Sequence, residues 1–282
     1  MSVAPNNLPP APLQEAGLLR EWLRPHRRLF VLTGAGCSTG SGIPDYRDGE
    51  GQWKRTPPVT YQAFTTDPQV NARYWARSFI GWPRIAHARP NDAHRALAGW
   101  EQQGRLATLL TQNVDGLHQR AGSREVIDLH GRLDDVVCLA CADRQPRAAM
   151  QERLADSNPA WLDLDAATAP DGDADLDGHD FSTFEVPACA RCAGMLKPDV
   201  VFFGENVPRP RYLQAQEALQ ASDAMLVAGS SLMVYSGFRF VRSAHEAGIP
   251  IAIVNRGRTR ADDLAGLKLQ ADVGAVLTAA MA

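Results

Sequence analysis

The order of apolar and amphipathic segments predicts an α/β fold, a parallel, doubly wound sheet with a smaller module inserted into it. Three observations carry that reading. Short apolar runs suited to buried strands alternate with stretches of helical spacing. The first run ends in a glycine-rich turn, Gly34-Ala35-Gly36-Cys37-Ser38-Thr39-Gly40-Ser41-Gly42, where a Rossmann-like sheet places its phosphate loop. Two Cys-x-x-Cys pairs, Cys138/Cys141 and Cys189/Cys192, bracket the region where the alternation lapses.

In order, LQEAGLLREWL has helical spacing, with Leu13, Leu18, Leu19, Trp22 and Leu23 on or near one face and Pro25 near its end. RRLFVLTGAG then reads as a buried strand running into the glycine turn, and similar strands follow at 106–113, 223–231 and 249–255. Helices are expected in HRALAGWEQQ, RYLQAQEALQ and GFRFVRSAHEAG, and the closing ADDLAGLKLQADVGAVLTAAMA reads as one or two helical pieces. A segment rich in aromatics and proline, about 45–95, reads as an inserted helical segment, and about 134–197 as the metal module, with an acidic loop at 156–180.

A chain of 282 residues can hold one large domain and a smaller one. The net charge of -3 supplies no general attraction to nucleic acid. No apolar run approaches the roughly 20 residues that span a bilayer, so neither nucleic acid nor membrane is an expected partner. Residues 1–12 lack a basic and an apolar signal segment and read as a disordered lead-in; the expected compartment is cytoplasmic.

Each constellation has a functional and a plain reading. Glycines let a backbone approach a pyrophosphate, yet Thr39 stands where the standard fingerprint needs its third glycine. A plain tight turn, or a dinucleotide held in a non-standard way, both fit. Gln112, Asn113 and Asp115 follow a strand, where they could bond a ribose and an amide, or where Asp115 could simply cap a helix. His130 in Leu129-His130-Gly131 could accept a proton or be structural. Four thiolates suit one tetrahedral zinc with no open position, hence a structural ion; a redox dithiol or an iron–sulfur cluster are the alternatives. Asp173-x-Asp175-x-Asp177-Gly178 begins like a calcium loop, but Phe184 falls where the closing Glu should be, which favours a solvated acidic loop. Cys37 reads as a small apolar filler rather than a nucleophile.

Taken in order, GAGCSTGSGIPDYRD (34–48), TQNVDGLHQRAG (111–122), LHG (129–131), the two cysteine pairs, KPDVVFFGE (197–205), GSSLMVYSG (229–237) and VNRG (254–257) resemble the blocks of the sirtuin family. The resemblance runs from about residue 13 to 278 and implies that 13–282 is a catalytic domain. It implies NAD as co-substrate, held without the usual fingerprint, a structural Zn2+, and acyl-lysine protein substrates. Gly34, Ala35, Gly36 and Ser38 would line the pyrophosphate, and Pro44, Asp45, Tyr46 and Arg47 would form a cofactor loop. Gln112, Asn113 and Asp115 would face the nicotinamide ribose and amide. Gly229, Ser230 and Ser231 would meet phosphate and the adenosine ribose, with Asn255, Arg256, Gly257 and Val273 at the adenosine end. Val200, Phe202 and Phe203, opposite Val234, Tyr235 and Ser236, would form a cleft where substrate adds as a strand.

The implied reaction is deacylation, with deacetylation the expected form. The acyl oxygen attacks the ribose carbon that bears nicotinamide and expels it. His130 serves as general base on the ribose hydroxyls so that the 2′-oxygen attacks the imidate carbon, and water then releases free lysine and O-acyl-ADP-ribose. Some features depart from the common pattern: Gly40 replaces a common Glu, PDYRD resembles the class II branch in part, and RYWARSFIGWP (73–83) and TRADDLAGLKL (259–269) resemble that branch. Tyr74-x-x-Arg77 resembles the pair that binds acidic acyl groups in desuccinylating sirtuins, since a guanidinium forks onto a carboxylate; the two could equally just pack on one helix face. Rival functions are mono-ADP-ribosyl transfer, an ordinary NAD-dependent dehydrogenase, which the failed fingerprint opposes, and a non-catalytic binding module, which His130 and Asn113 oppose.

Overall fold

The structure, a computed structural model, describes residues 11–54, 58–162, 164, 176 and 178–281. Residues 1–10 of the lead-in and the Asp173-x-Asp175-x-Asp177 stretch lie outside them, while Ala11 and Pro12 belong to the first helix.

The chain runs α1 (Ala11–Leu23), β1 (Leu29–Thr33), α2 (Tyr61–Thr66), α3 (Pro68–His87), α4 (Asp92–Gln102), β2 (Leu106–Thr111), α5 (Leu117–Arg120) and β3 (Val126–Asp128). It continues with β4 (Gly131–Cys138), β5 (Arg144–Pro146), α6 (Arg147–Ser157), β6 (Leu196–Val200) and α7 (Arg209–Gln220). It ends with β7 (Ala224–Ala228), α8 (Tyr235–Glu246), β8 (Ile251–Val254), β9 (Leu267–Leu269) and α9 (Val273–Met281).

Six strands form one sheet in the order β3-β2-β1-β7-β8-β9, every adjacent pair parallel. The central strands β1, β7 and β8 are buried along their whole length, which explains their unbroken apolar sequences: helices cover both faces. Because side chains alternate across a strand, Leu29 and Val31 pack with α1, α4 and α9, while Phe30 and Leu32 pack with α7 and α8. The strand order reverses between β1 and β7, and a crevice opens at the carboxyl ends of these two strands.

A second lobe holds the antiparallel sheet β5-β4-β6 with α2, α3 and α6. Phe64, Trp75 and Phe79, from the segment after the glycine turn, share one core with Val136, Met150, Leu154 and Leu196. Two stretches of chain separated by β2 of the large sheet therefore fold as one body. The helix α3 starts where the sequence provides both signals for it, Asp67 accepting from the N–H groups of Gln69 and Val70 and Pro68 at the first position.

Several elements differ from the sequence reading. The closing segment contains a strand, β9, before its helix, and β3 adds another edge strand. Each has three residues, too short for a periodicity to register. The first helix begins at Ala11. Residues 92–95 belong to α4, whose Ala93, Ala96 and Leu97 pack in the large-lobe core rather than in the insertion.

Candidate active site

The crevice at the strand ends opens into a cavity of about 960 Å³ between the two lobes. Its floor is made by two turns in close approach. Gly36 N–H donates to the Gly229 carbonyl at 2.8 Å, and a Cβ on Gly229, which sits at φ +66°, would lie 2.4 Å from the Cys37 nitrogen. Side chains at these two glycines would force the turns after β1 and β7 apart.

A polar network spreads from that floor. Ser38 Oγ donates to Asp115 Oδ2 at 2.7 Å, and Asn113 Nδ2 donates to Ser38 Oγ at 2.9 Å and to the Gly34 carbonyl at 3.1 Å. Burial pushes the Asp115 carboxyl above its ordinary range, against the hydrogen bonds from Ser38 and the Leu117 N–H. Ser230 Oγ donates to Gln112 Oε1 at 2.6 Å. At the far end Arg256 pairs with Asp272 at 2.8 Å, and Asp272 also accepts from Ala275 N–H in the first turn of α9. The loop 45–54 forms one rim: Arg47 stacks on Trp53 with its guanidinium carbon 3.8 Å from the ring centroid, and Asp45 pairs with Lys54.

His130 sits where the lobes meet. Its Nδ1 lies 2.9 Å from the Gln112 carbonyl and its Nε2 2.7 Å from Ser236 Oγ. A carbonyl can only accept, so Nδ1 carries the proton and Nε2 presents its lone pair, here to the Ser236 hydroxyl. Burial holds the imidazole down to about 4, the Gln112 carbonyl partly opposing and the charges of Arg211 and Arg239 adding to the effect; the ring is neutral at pH 7.

Opposite α8, the segment after β6 forms the second wall of a cleft. Phe203 carbonyl accepts from Tyr61 N–H at 2.8 Å, and Glu205 accepts from Phe202 N–H at 2.9 Å and from Lys197 Nζ at 3.1 Å. Lys197 is itself buried, so this ion pair fixes the wall from behind.

The structure brings the expected residues to one cavity with a single exception. Gly34, Ala35, Gly36, Ser38, Pro44 to Arg47, Gln112, Asn113, Asp115, His130, Gly229 to Ser231, Asn255 to Gly257 and Val273 all line it, as do Val200, Phe202, Phe203, Val234, Tyr235 and Tyr74. Arg77 is not among the lining residues. Tyr74 packs edge-on to Phe64 with centroids 5.2 Å apart and tilts against Phe202 at 5.1 Å, so this wall presents an aromatic surface. Sequence reasoning missed Asp272 and Arg239, which also line the cavity, and the bond from Ser236 to His130. No local pattern marks them.

The four cysteines converge at the tip of the second lobe. Their Sγ atoms all lie within 4.8 Å of one another, with Cys138–Cys192 at 3.5 Å and Cys141–Cys189 at 3.8 Å. Tetrahedral zinc with thiolate bonds near 2.3 Å separates its sulfurs by about 3.8 Å, so the set fits a structural Zn2+. The two knuckles share one backbone design. Ala142 N–H donates to the Cys138 carbonyl and Ala193 N–H to the Cys189 carbonyl, at 3.0 and 2.8 Å, and both alanines adopt positive φ, 59° and 58°. The N–H of Cys141 aimed at Cys138 holds that thiol down to about 7, which favours the thiolate a metal requires.

The fold, the crevice at the strand reversal and the cysteine tip define a two-lobed α/β protein of the dinucleotide-binding class, with a four-cysteine set fit for a structural zinc. Residues 34–236 match the model of the Sir2 family. The chain is 62% identical to NAD-dependent protein deacetylase 2 of Bradyrhizobium diazoefficiens, covering 92% of this chain and 95% of that one. It is 63% identical to an NAD-dependent protein deacetylase of Xanthomonas campestris, over 91% of this chain and 88% of that one. The solved structure described as "Sir2-p53 peptide-NAD+" superposes with a TM-score of 0.76 at 32% identity, covering 94% and 96% of the two chains. This chain belongs to the Sir2 family.

Proposed function

We propose that this cavity carries out NAD-dependent deacylation of lysine in proteins, with acetyl-lysine as the principal substrate and nicotinamide and O-acyl-ADP-ribose as products. The observation that carries the reading is His130, a neutral imidazole with one nitrogen pinned to a backbone carbonyl and the other presenting a lone pair beside the cavity. Support comes from relatives named NAD-dependent protein deacetylases and from the fit of the polar floor to a dinucleotide.

The NAD co-substrate supplies a ribose carbon that accepts the acyl oxygen as nicotinamide leaves. The turn at 34–38 and Gly229 to Ser231 receive its pyrophosphate, and Asn255, Arg256, Gly257 and Val273 its adenosine end. Asn113 and Asp115, fixed by Ser38, orient the nicotinamide ribose, with Gln112 held by Ser230 beside them. His130 Nε2 then takes a proton from a ribose hydroxyl, and the Gln112 carbonyl steadies the imidazolium that forms. A peptide adds as a strand between 200–203 and 234–236 and delivers its acyl-lysine toward His130. Tyr74, Leu133, Val200 and Phe202 present an apolar wall suited to neutral acyl chains. The zinc takes no part in the chemistry and holds the second lobe together. Four thiols in a metal set suit a reducing compartment, the cytoplasm.

The test is nicotinamide release on a panel of acetyl-, succinyl-, glutaryl- and lipoyl-lysine peptides. Acetyl-lysine should turn over with formation of O-acetyl-ADP-ribose, and His130→Ala should lower kcat/KM by about 10²–10⁴-fold. Undiminished turnover in that variant would remove His130 from its role. A preference for succinyl-lysine that Arg77→Met abolishes would restore Arg77 to the site.

A further inference from the structure

The large-lobe wall of the cleft carries a charge that no carboxylate among the described residues answers. Arg239 stands one turn into α8, beyond Tyr235 and Ser236, and lines the cavity with them. Its guanidinium carbon rests 4.0 Å from the centroid of the Tyr212 ring and 5.4 Å from that of Phe240. The rings prop the group from one side. Its Nε and Nη2 are covered by protein yet have no hydrogen-bond partner.

Other charges along the cavity have hydrogen-bond partners: Arg47 donates to the Gly51 carbonyl and stacks on Trp53, and Asp115 accepts from Ser38 and the Leu117 N–H. Arg256 pairs with Asp272 at 2.8 Å, Glu205 with Lys197 at 3.1 Å, and Asp45 with Lys54. Among the described residues Arg239 pairs with no carboxylate. Arg239 is half-buried, and covered N–H groups without an acceptor are costly, so an incoming acceptor at this guanidinium gains more than at an exposed one. The surroundings reinforce the sign: Arg260 lies 5.8 Å and Arg242 5.7 Å from the Tyr235 ring centroid, and of the two Arg242 alone has an ion pair, to Glu246 at 3.4 Å. In a chain of net charge -3, this end of the cleft is locally basic.

We propose that Arg239 binds the carboxylate of an Asp or Glu neighbouring the acyl-lysine, so that the protein selects acyl-lysine sites in acidic sequence. The reading rests on the deacylase proposal and adds a subsite to it. A carboxylate at the end of the acyl chain is the other source of the same chemistry. The position favours the neighbouring residue. Arg239 belongs to the large-lobe helix that flanks the peptide strand, whereas the aromatic wall suited to the acyl chain, with Tyr74 and Phe202, belongs to the core of the second lobe.

The experiment pairs acetyl-lysine peptides carrying Asp or Glu at each position from two before to two after the lysine with their Asn or Gln isosteres. Binding is read by fluorescence anisotropy without NAD, and KM and kcat with it. The wild-type protein should bind the best acidic peptide about tenfold more tightly than its isostere, an advantage that shrinks as salt rises. Arg239→Gln should erase that ratio, Arg239→Lys should keep part of it, and Arg191→Gln, on the distant cysteine lobe, should keep all of it. The difference should fall on KM rather than kcat. Equal binding of both peptide sets by the wild-type protein, or a ratio that survives Arg239→Gln, would overturn the proposal. So would an Arg239-dependent preference confined to succinyl- or glutaryl-lysine. Nicotinamide release from the amide-flanked peptides reports the parent reading separately, because it needs no acidic neighbour.

Discussion

Among the described residues, two clusters offer metal-ligand side chains within 4.8 Å of one another: the four cysteines, and Cys37 with His94 and His118. Their surroundings differ in every respect that matters to a cation. The four cysteines sit on paired knuckles, one of them exposed, with backbone N–H groups that bring Cys138 down to about 7. The second cluster is buried in the large lobe. Burial there pushes the Cys37 thiol far above its ordinary value, with Asp115 and Asp272 adding to the effect, holds His94 down to about 4 and holds His118 well below its ordinary value. Some of its donors are also engaged, although the buried His118 Nδ1 has no partner among the described residues. His94 Nδ1 accepts from the Asn91 N–H that opens α4, and His118 Nε2 lies 2.9 Å from Thr33 Oγ1. Donor type alone does not make a metal site. In the first cluster the sulfurs converge on paired knuckles, where Cys138 is eased toward the thiolate while its neighbours push Cys192 up to about 12, and the second cluster is held neutral by burial.

The largest expected effect follows from the first cluster. Purified protein should contain one zinc per chain, and Cys141→Ser should abolish it with loss of the second lobe's fold and of activity. Structural zinc contributes an apparent 10–16 kcal/mol in small domains, about the whole stability of a typical domain. Metal analysis and circular dichroism before and after chelation check this. A second equivalent of zinc, lost in His94→Gln, would break the contrast between the clusters.

A smaller effect tests the neutrality of the second cluster. An unfolded histidine begins to take up a proton near pH 6.5, whereas folded His94 does so only near 4, so the unfolded state binds more protons between these values. Stability is therefore intact above pH 6.5 and falls as pH drops toward 4. His94→Gln should cost about 2 kcal/mol at pH 7 through its lost hydrogen bonds. It should also flatten the decline by about 1.4 kcal/mol per pH unit between 6 and 4.5, read by urea unfolding. An unchanged slope would mean that His94 is not held neutral.

How much of this was legible in the sequence divides along the same line. The glycine turn, the knuckle spacing and the long buried strands are local patterns, fixed by a few consecutive residues and their backbone needs. Features made by distant chain were not legible. The shared core of Trp75 and Met150 joins segments on either side of β2, and the bond from Ser236 to His130 spans 106 positions. Arg77 shows the limit of helical spacing. Three positions from Tyr74 it falls near the same face, yet Tyr74 reaches the cavity and Arg77 does not. Periodicity gives the face of a helix but not how deep a side chain on it reaches.

The smallest effect concerns Cys37 and asks whether the two lobes unfold together. The large lobe has cores on both faces of its six-stranded sheet, and the second lobe has its own. Stripping the zinc should open the second lobe and leave Cys37 sealed, 1% exposed beneath α4 and α9. With a zinc-binding dye and a thiol reagent present, four cysteines should react as the metal is released, and the fifth only when denaturant unfolds the sheet. Cys37→Ala should remove that slow thiol, keep the zinc, and cost about 1 kcal/mol, the usual price of a small buried truncation. If instead all five thiols react at one rate, the staple supports the whole molecule, and the cavity between the lobes depends on zinc as directly as the knuckles do.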